Sequence, residues 1–327
     1  MRKIQPYFYS IDLLRGCTAL LICLYHFINH QDGTNELFSN TEFIKEHSSI
    51  LVDSVFIFFM ISGFVIPLSM LRQNFELKKF FHFLLRRWIR IEIPYLFSLF
   101  TILFIGYLWS FRGIPFQLDW NQLMHHFFYS VGIFQKDWLN PIYWTLAIEF
   151  QFYILIALIF PILKSKQPLV KYGSLLLLSG ISIWLIDFRF VFAFLPLFVV
   201  GLLYLFYLSE AENKMFHLGL LFLVLMEVTY LFSWISTLYI LVALAIIEWT
   251  QLSAKNLFVR FGKMGYSFYL MHGVFGGSFL VLMQKYISNS YVLLISAIVF
   301  AILCSSIFYL LIEKPSQKLS KRISYSK

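Results

Sequence analysis

The sequence predicts an all-α integral membrane protein, a bundle of about ten transmembrane helices with both termini cytoplasmic. Three observations predict it. Of 327 residues, 60% are hydrophobic and only 13% charged, with a mean hydropathy of +0.75, whereas soluble domains carry about a quarter charged residues. The apolar residues gather into runs close to the ~20 residues that a bilayer core requires. Lys and Arg crowd every second segment between those runs, as the positive-inside rule demands.

The runs justify themselves in order. The first, 11–29, contains Arg15 and lacks a small-residue cleavage site, so it reads as a helix and not as a cleaved signal peptide. An acidic segment, 30–50, with Asp32, Glu36, Glu42 and Glu46, leads to the second run, 51–71. A basic stretch from Lys78 to Arg90 opens the third, 88–110. The next connection, 111–141, carries an aromatic, amphipathic stretch around His125–Phe134. Then come 142–163, four short and closely spaced runs at 171–187, 190–207, 216–232 and 234–250, and finally 265–284 and 290–312. The pattern is that of one transmembrane domain over 1–327.

With the N-terminus inside, the inner segments hold twenty of the 26 Lys and Arg residues and the outer segments five: Lys45, Arg112, Lys136, Arg189 and Lys285. Arg15 lies within the first helix. The net charge of +9 therefore sets topology and does not mark a nucleic-acid binder, since no soluble basic domain carries it. Cys17, Cys23 and Cys304 all fall inside apolar runs, which excludes a disulfide framework and a zinc site and makes them packing residues.

Ionisable side chains inside such runs cost about 2.5–3.5 kcal/mol each on insertion scales and call for a partner or a polar cavity. The first helix carries Asp12, Arg15 and His26. Arg15 and His26 are eleven residues apart, within roughly 20° of one helix face and roughly 16 Å along the axis. Glu149 lies roughly 10 Å below the outer end of the fourth helix, a depth within a turn or two of His26. An imidazole beside a carboxylate is a recurrent general-base arrangement, so His26 and Glu149 are the candidate catalytic pair. Arg86, Arg87 and Arg90 are either a topology signal or, at i, i+1 and i+4, an anion cradle. Asp12 and Arg15 can also pair along their helix. His272 sits nearer Arg15, and Glu313 and Lys314 close the tenth helix at that side. His30, His47, His82, His125 and His126 read as interfacial residues without metal-ligand spacing.

Several motifs along the chain resemble those of the membrane-bound acyltransferase family 3, the mainly bacterial group that O-acylates cell-surface sugars. Tyr9-Ser-Ile-Asp-Leu-Leu-Arg15-Gly followed by Leu24-Tyr25-His26 reproduces the family's arginine–histidine spacing. Phe58-Phe59-Met-Ile-Ser62-Gly63-Phe64, Arg86-Arg87-Trp-Ile-Arg90-Ile-Glu-Ile-Pro94-Tyr95 and Trp144-Thr-Leu-Ala-Ile-Glu149-Phe-Gln-Phe152-Tyr153 are similar to its next three. Gly265-Tyr266-Ser267-Phe-Tyr269-Leu-Met-His272 and Glu313-Lys314-Pro315 match its terminal pair. The resemblance runs from residue 9 to about 318, in the stand-alone form without an appended esterase-like domain. Departures stand at Phe56, Phe150, Glu92 and Ile93.

The resemblance implies an inner-membrane, multi-pass O-acyltransferase that moves an acyl group, most simply acetyl, from cytoplasmic acetyl-CoA to a surface polysaccharide or lipid-linked sugar on the outer side. Acetyl-CoA would be a co-substrate, with no permanently bound cofactor and no metal. It assigns acyl-donor binding to Arg15, Arg86, Arg87 and Arg90, and chemistry to His26 with Glu149. Asp12, Ser62, Trp144, Tyr153 and His272 would support the site, and the aromatic stretch 124–134 would be a candidate acceptor platform. Read from the residues alone, polar groups in a membrane groove equally suit a translocator of glycans or lipid precursors without chemistry.

Overall fold

The computed structural model describes residues 7–29, 42–113, 116–209 and 214–323. His30, Asp32 and Glu36, named above for charge or chemistry, lie outside the described residues, as do the side chains of Glu42, Lys45 and Glu46. Helices account for most of the described backbone. They are α1 (Tyr9–Ile28), α2 (Glu42–Val52), α3 (Phe56–Arg72), α4 (Phe80–Ser110) and α5 (Trp120–Phe127), followed by α6 (Tyr143–Leu163) and α7 (Pro168–Trp184). The second half holds α8 (Leu195–Ser209), α9 (Lys214–Leu231), α10 (Trp234–Trp249), α11 (Leu257–Lys263) and α12 (Gly265–Met271), then α13 (Ser278–Met283), α14 (Ser290–Phe308) and α15 (Lys314–Arg322).

Among the described residues, eight helical stretches are long and apolar enough to cross a bilayer, and α7 and α10 are shorter apolar helices of 17 and 16 residues. Together they coincide with the ten apolar runs, and the chain is an all-α multi-pass membrane bundle. Two stretches run well past the expected windows. α4 begins at Phe80, eight residues before the apolar run, and the last stretch continues from Ser290 to Arg322. Backbone hydrogen bonding does not stop at the bilayer edge, so a helix continues through basic residues until a breaker ends it.

Two wider, π-helical turns interrupt this regularity, at His272–Gly277 between α12 and α13 and at Tyr309–Glu313 between α14 and α15. Such turns cluster at functional sites because the extra residue re-aims its neighbours. Each contains an ionisable residue of the terminal motifs, His272 in one and Glu313 in the other.

Packing divides the interior into two apolar clusters. One is centred on α3, α6 and α8–α10, with Phe59, Phe152 and Phe198 fully buried and the Phe152 and Phe198 rings stacked at 3.9 Å. The other joins α1 to α12–α14 around Phe27, Phe268 and Tyr95. Close backbone approach seals the first: a Cβ at Gly63 would lie 2.0 Å from the Phe198 carbonyl oxygen, and one at Gly201 would lie 2.1 Å from that of Met60. Only glycine lets α3 and α8 meet there, as small residues do between membrane helices. Trp144 packs on Phe59 and Phe194, at 5.9 and 5.4 Å between ring centroids, and belongs to this wall.

The 111–141 connection folds inward. His126 is fully buried on α5, with Nδ1 3.0 Å from the Tyr95 hydroxyl and Nε2 accepting from the Leu139 amide at 3.2 Å. Burial pulls its imidazole down to about 4. Tyr129, at φ 52°, stacks on Tyr95 and Phe150. Phe128 and Phe134, by contrast, are 73% and 60% exposed. His126 is thus a core residue and not an interfacial one, and half of the aromatic stretch is wedge, not platform.

Candidate active site

One end of the bundle collects the start of α1, the Arg87–Arg90 turn of α4, α11 and α15. Ser316 Oγ on α15 donates to the Ile89 carbonyl at 2.6 Å, and the Tyr266 hydroxyl donates to that of Ile91 at 2.9 Å. A Cβ at Gly262 would lie 1.7 Å from the Asp12 carbonyl oxygen, so α11 presses directly on α1. Between these elements and the seam of the two apolar clusters lies a cleft of about 1240 Å³ including its open mouth, lined by Arg15, Arg87, Arg90, Glu149, Tyr153 and Tyr269 among others. Thr145 and Tyr153 of α6 both line it, eight residues apart, so it follows that helix for roughly 12 Å.

Three carboxylates face the cleft, and hydroxyl or amide donors hold each of them. Asp12 accepts from the Tyr7 hydroxyl at 2.7 Å; burial and that bond push the Tyr7 phenol well up. Glu149 Oε1 accepts from Ser62 Oγ at 2.7 Å and from the Tyr153 hydroxyl at 2.5 Å. Glu313 accepts from the Ser267 amide at 3.0 Å, from the Ser267 hydroxyl, and from Gln317 Nε2 at 2.8 Å. Among the described residues no carboxylate forms an ion pair with Arg15 or Arg90. The Asp12–Arg15 pairing open on the sequence is therefore not the one formed. The guanidinium of Arg87 lies over the rings of Phe83 and Tyr153, at 5.6 and 5.8 Å. The cleft thus presents cations to an incoming anion while its acids are already satisfied.

The predicted site residues divide accordingly. Arg15, Arg87, Arg90, Asp12, Glu149, Ser62 and Tyr153 come together in the cleft. Arg86 is turned away from it and donates to Gln73 Oε1 at 2.9 Å; consecutive helical residues point about 100° apart, so one face cannot carry both Arg86 and Arg87. His26 is not among the residues lining the cleft, and Glu149 Oε1 is held by Ser62 and Tyr153. The His26 ring lies 5.4 Å from that of His272, tilted by 33°. His272 in turn is 6.1 Å from the ring of Tyr269, whose hydroxyl meets Thr145 Oγ1 at 2.9 Å and whose ring meets Phe58 at 5.2 Å. The two histidines sit one ring beyond the far end of the cleft.

Tyr7, Lys263, Tyr309 and Gln317 line the cleft without having been singled out in the sequence. Helical spacing was the available signal for two of them, since Tyr309 and Gln317 flank Glu313 at i−4 and i+4. Acidic residues outside the cleft were missed as well. Glu227 accepts from Ser179 and Ser182 of α7, Glu248 from Tyr204, and Asp53 from Ser233 and Ser236. These bonds tie helices together and leave the cleft untouched.

Neither the curated proteins nor the solved structures contain a match to the chain. A family model described as an acyltransferase domain, that of acyltransferase family 3, matches residues 8–311. That span takes in α1 through α14, both histidines and the cleft lining except Tyr7, Glu313 and Gln317, and the chain belongs to this family of acyltransferases.

Proposed function

We propose that the protein transfers an acyl group, acetyl in the first instance, from cytoplasmic acyl-CoA to a hydroxyl of a surface polysaccharide or lipid-linked glycan on the outer side of the cell membrane. The observation that carries this reading is the cleft itself: an opening at the basic end of an acyltransferase-family bundle, with Arg15, Arg87 and Arg90 on its walls and a histidine pair just past its closed end. The arginines would hold the phosphates of the donor by charge-assisted hydrogen bonds. The pantetheine arm would follow α1 and α6 inward and bring the thioester up to Phe58 and Tyr269. His26 would take the proton of the acceptor hydroxyl as that oxygen attacks the thioester carbonyl. Glu149, held by Ser62 and Tyr153, acts in this scheme as the anionic wall opposite Arg15 and not as the direct partner of His26.

The test is ester-linked acetyl on surface glycans, measured by mass spectrometry from cells carrying wild type, His26→Ala or no protein, at matched membrane expression. Acetyl added by wild type alone supports the reading. Equal acetylation by His26→Ala would overturn the role of His26. Release of free CoA thiol by purified protein separates an enzyme from a translocator, which binds its cargo without cleaving a donor. An acyl group trapped on His26 when donor is supplied without acceptor would replace general-base catalysis by an acyl-histidine route.

A further inference from the structure

Two imidazoles in ring contact are held in different ways. His26 is half-buried on α1. His272 is fully buried at the start of the wide turn that follows α12, with Nδ1 2.7 Å from the Tyr269 carbonyl oxygen and 3.2 Å from that of Phe268. A carbonyl oxygen only accepts, so Nδ1 carries the proton and Nε2 presents a lone pair. That Nε2 is buried and has no hydrogen-bond partner. A buried acceptor without a donor is costly, and it calls for a donor supplied in the working state.

The rings packed around His272 are those of Phe27, Phe268, Tyr269 and His26. The two phenylalanines have no polar hydrogen. The Tyr269 hydroxyl is already engaged with Thr145 and the Ile142 carbonyl. His26 is the neighbour whose ring nitrogens can supply an N–H.

We propose that His272 is a positioning residue for His26: its Nε2 accepts a hydrogen bond from a His26 ring N–H, directly or through one water, while the opposite His26 nitrogen acts as base. The proposal rests on the function proposed above and deepens it. In the transfer step the acceptor O–H bond breaks and its proton moves to the His26 nitrogen opposite the one that faces His272. The oxygen forms a bond to the thioester carbonyl carbon, the C–S bond breaks, and the proton leaves with the sulfur as free CoA thiol. The second His26 nitrogen keeps its proton throughout, and His272 Nε2 holds it. That contact fixes the tautomer and spreads the charge of the transient imidazolium. The carbonyl bonds at Nδ1 polarise His272 and strengthen Nε2 as an acceptor. This is the part that sequence spacing assigns to Glu149, whose Oε1 is held by Ser62 and Tyr153 instead.

Two near-isosteric variants separate positioning from packing. In His272→Asn the amide N–H can replace Nδ1–H against the Tyr269 carbonyl, but nothing replaces Nε2. In His272→Gln an amide oxygen can reach the Nε2 position, and the backbone bond is lost. We expect kcat with acetyl-CoA to fall roughly 100-fold in His272→Asn and to stay within about tenfold of wild type in His272→Gln. KM for the donor should be unchanged in both, and the acid limb of the pH–rate profile should move to lower pH in His272→Asn. A wild-type kcat in His272→Asn, with His26→Ala inactive, overturns the proposal and leaves the function standing. A kcat that follows detergent melting temperature across both variants, with Gln no better than Asn, assigns His272 to packing and overturns it too. If His26→Ala itself turns over at the wild-type rate, the functional reading falls, and this proposal with it.

Discussion

The arginines of the cleft are distinguished from the rest of the basic end by what their neighbours leave undone. Asp12, Glu149 and Glu313 are all satisfied by hydroxyl or amide donors, so the guanidinium groups of Arg15 and Arg90 face the cleft with no ion pair among the described residues. A hydrogen bond to a charged group is worth about 1.5–3 kcal/mol, which is about a tenfold to hundredfold change in affinity. Arg15→Ala and Arg90→Ala should each raise KM for acyl-CoA by that factor in initial-rate assays with labelled donor. Arg86→Ala, whose side chain is spent on Gln73, should stay within about twofold; an equal loss in all three would mean that net charge, not geometry, binds the donor. Ser62 and Tyr153 meet on a single oxygen of Glu149, so their effects should couple. Ser62→Ala and Tyr153→Phe should each lower turnover about tenfold, and the double variant should lose markedly less than their product. A product-like loss would show that the two hydroxyls act separately.

The elements show which features one sequence reveals and which it hides. The ten apolar runs mark ten helices because the bilayer imposes length and composition on each crossing independently of its neighbours. Glu149 and His26 illustrate the opposite case: spacing along two helices supplies their depths, but the rotation of each helix and the identity of its lateral neighbour come from packing. Depth alone therefore paired His26 with Glu149, and it could not foresee the wide turn, invisible as a pattern, that sets the His272 ring beside that of His26. Motif residues fared better where they share one helix face, as Glu149 and Tyr153 do at i and i+4. The Ser62-Gly63 step explains itself only with α8 in view. Gly63→Ala should cost about 3 kcal/mol or more by overpacking against the Phe198 carbonyl. Gly180→Ala, where a Cβ meets nothing within 4 Å, should instead gain about 0.5–1 kcal/mol from helix propensity. Melting temperatures in detergent compare the two directly. The wedge around α5 has its own signature. The unfolded chain binds a proton at His126 below about 6.5, whereas the folded chain resists until about 4. The unfolded state therefore holds more protons across that window, so stability falls as pH drops from about 6.5 towards 4, by up to about 3 kcal/mol from this one group. His126→Gln should flatten that part of the melting-temperature profile, and an unchanged slope would mean that other groups set it.

At the scale of the whole molecule, the cleft is the seam between two separately packed apolar clusters, which is why a polar channel can enter the bundle without breaching either. It opens where the basic ends of α4, α11 and α15 converge, and its far end is closed by Phe58, Leu146 and Tyr269. On the proposed function a donor would enter by this mouth from the side where Lys and Arg are concentrated, which the positive-inside rule expects to be the cytoplasm. The expectation can be tested without knowledge of the acceptor. Lys263 lies at the mouth on α11, so Lys263→Cys places a thiol there. The reagent would be a membrane-impermeant maleimide, applied in a background from which the native Cys17, Cys23 and Cys304 have been replaced by serine or alanine. Inverted membrane vesicles should label, right-side-out vesicles should not, and acyl-CoA should slow the labelling while CoA-free buffer leaves it fast. Labelling from the outer side alone would place the mouth away from the cytoplasmic donor pool and reverse the direction of transfer. Labelling from the inner side without protection by acyl-CoA would keep the topology and remove the arginine-lined cleft from donor binding.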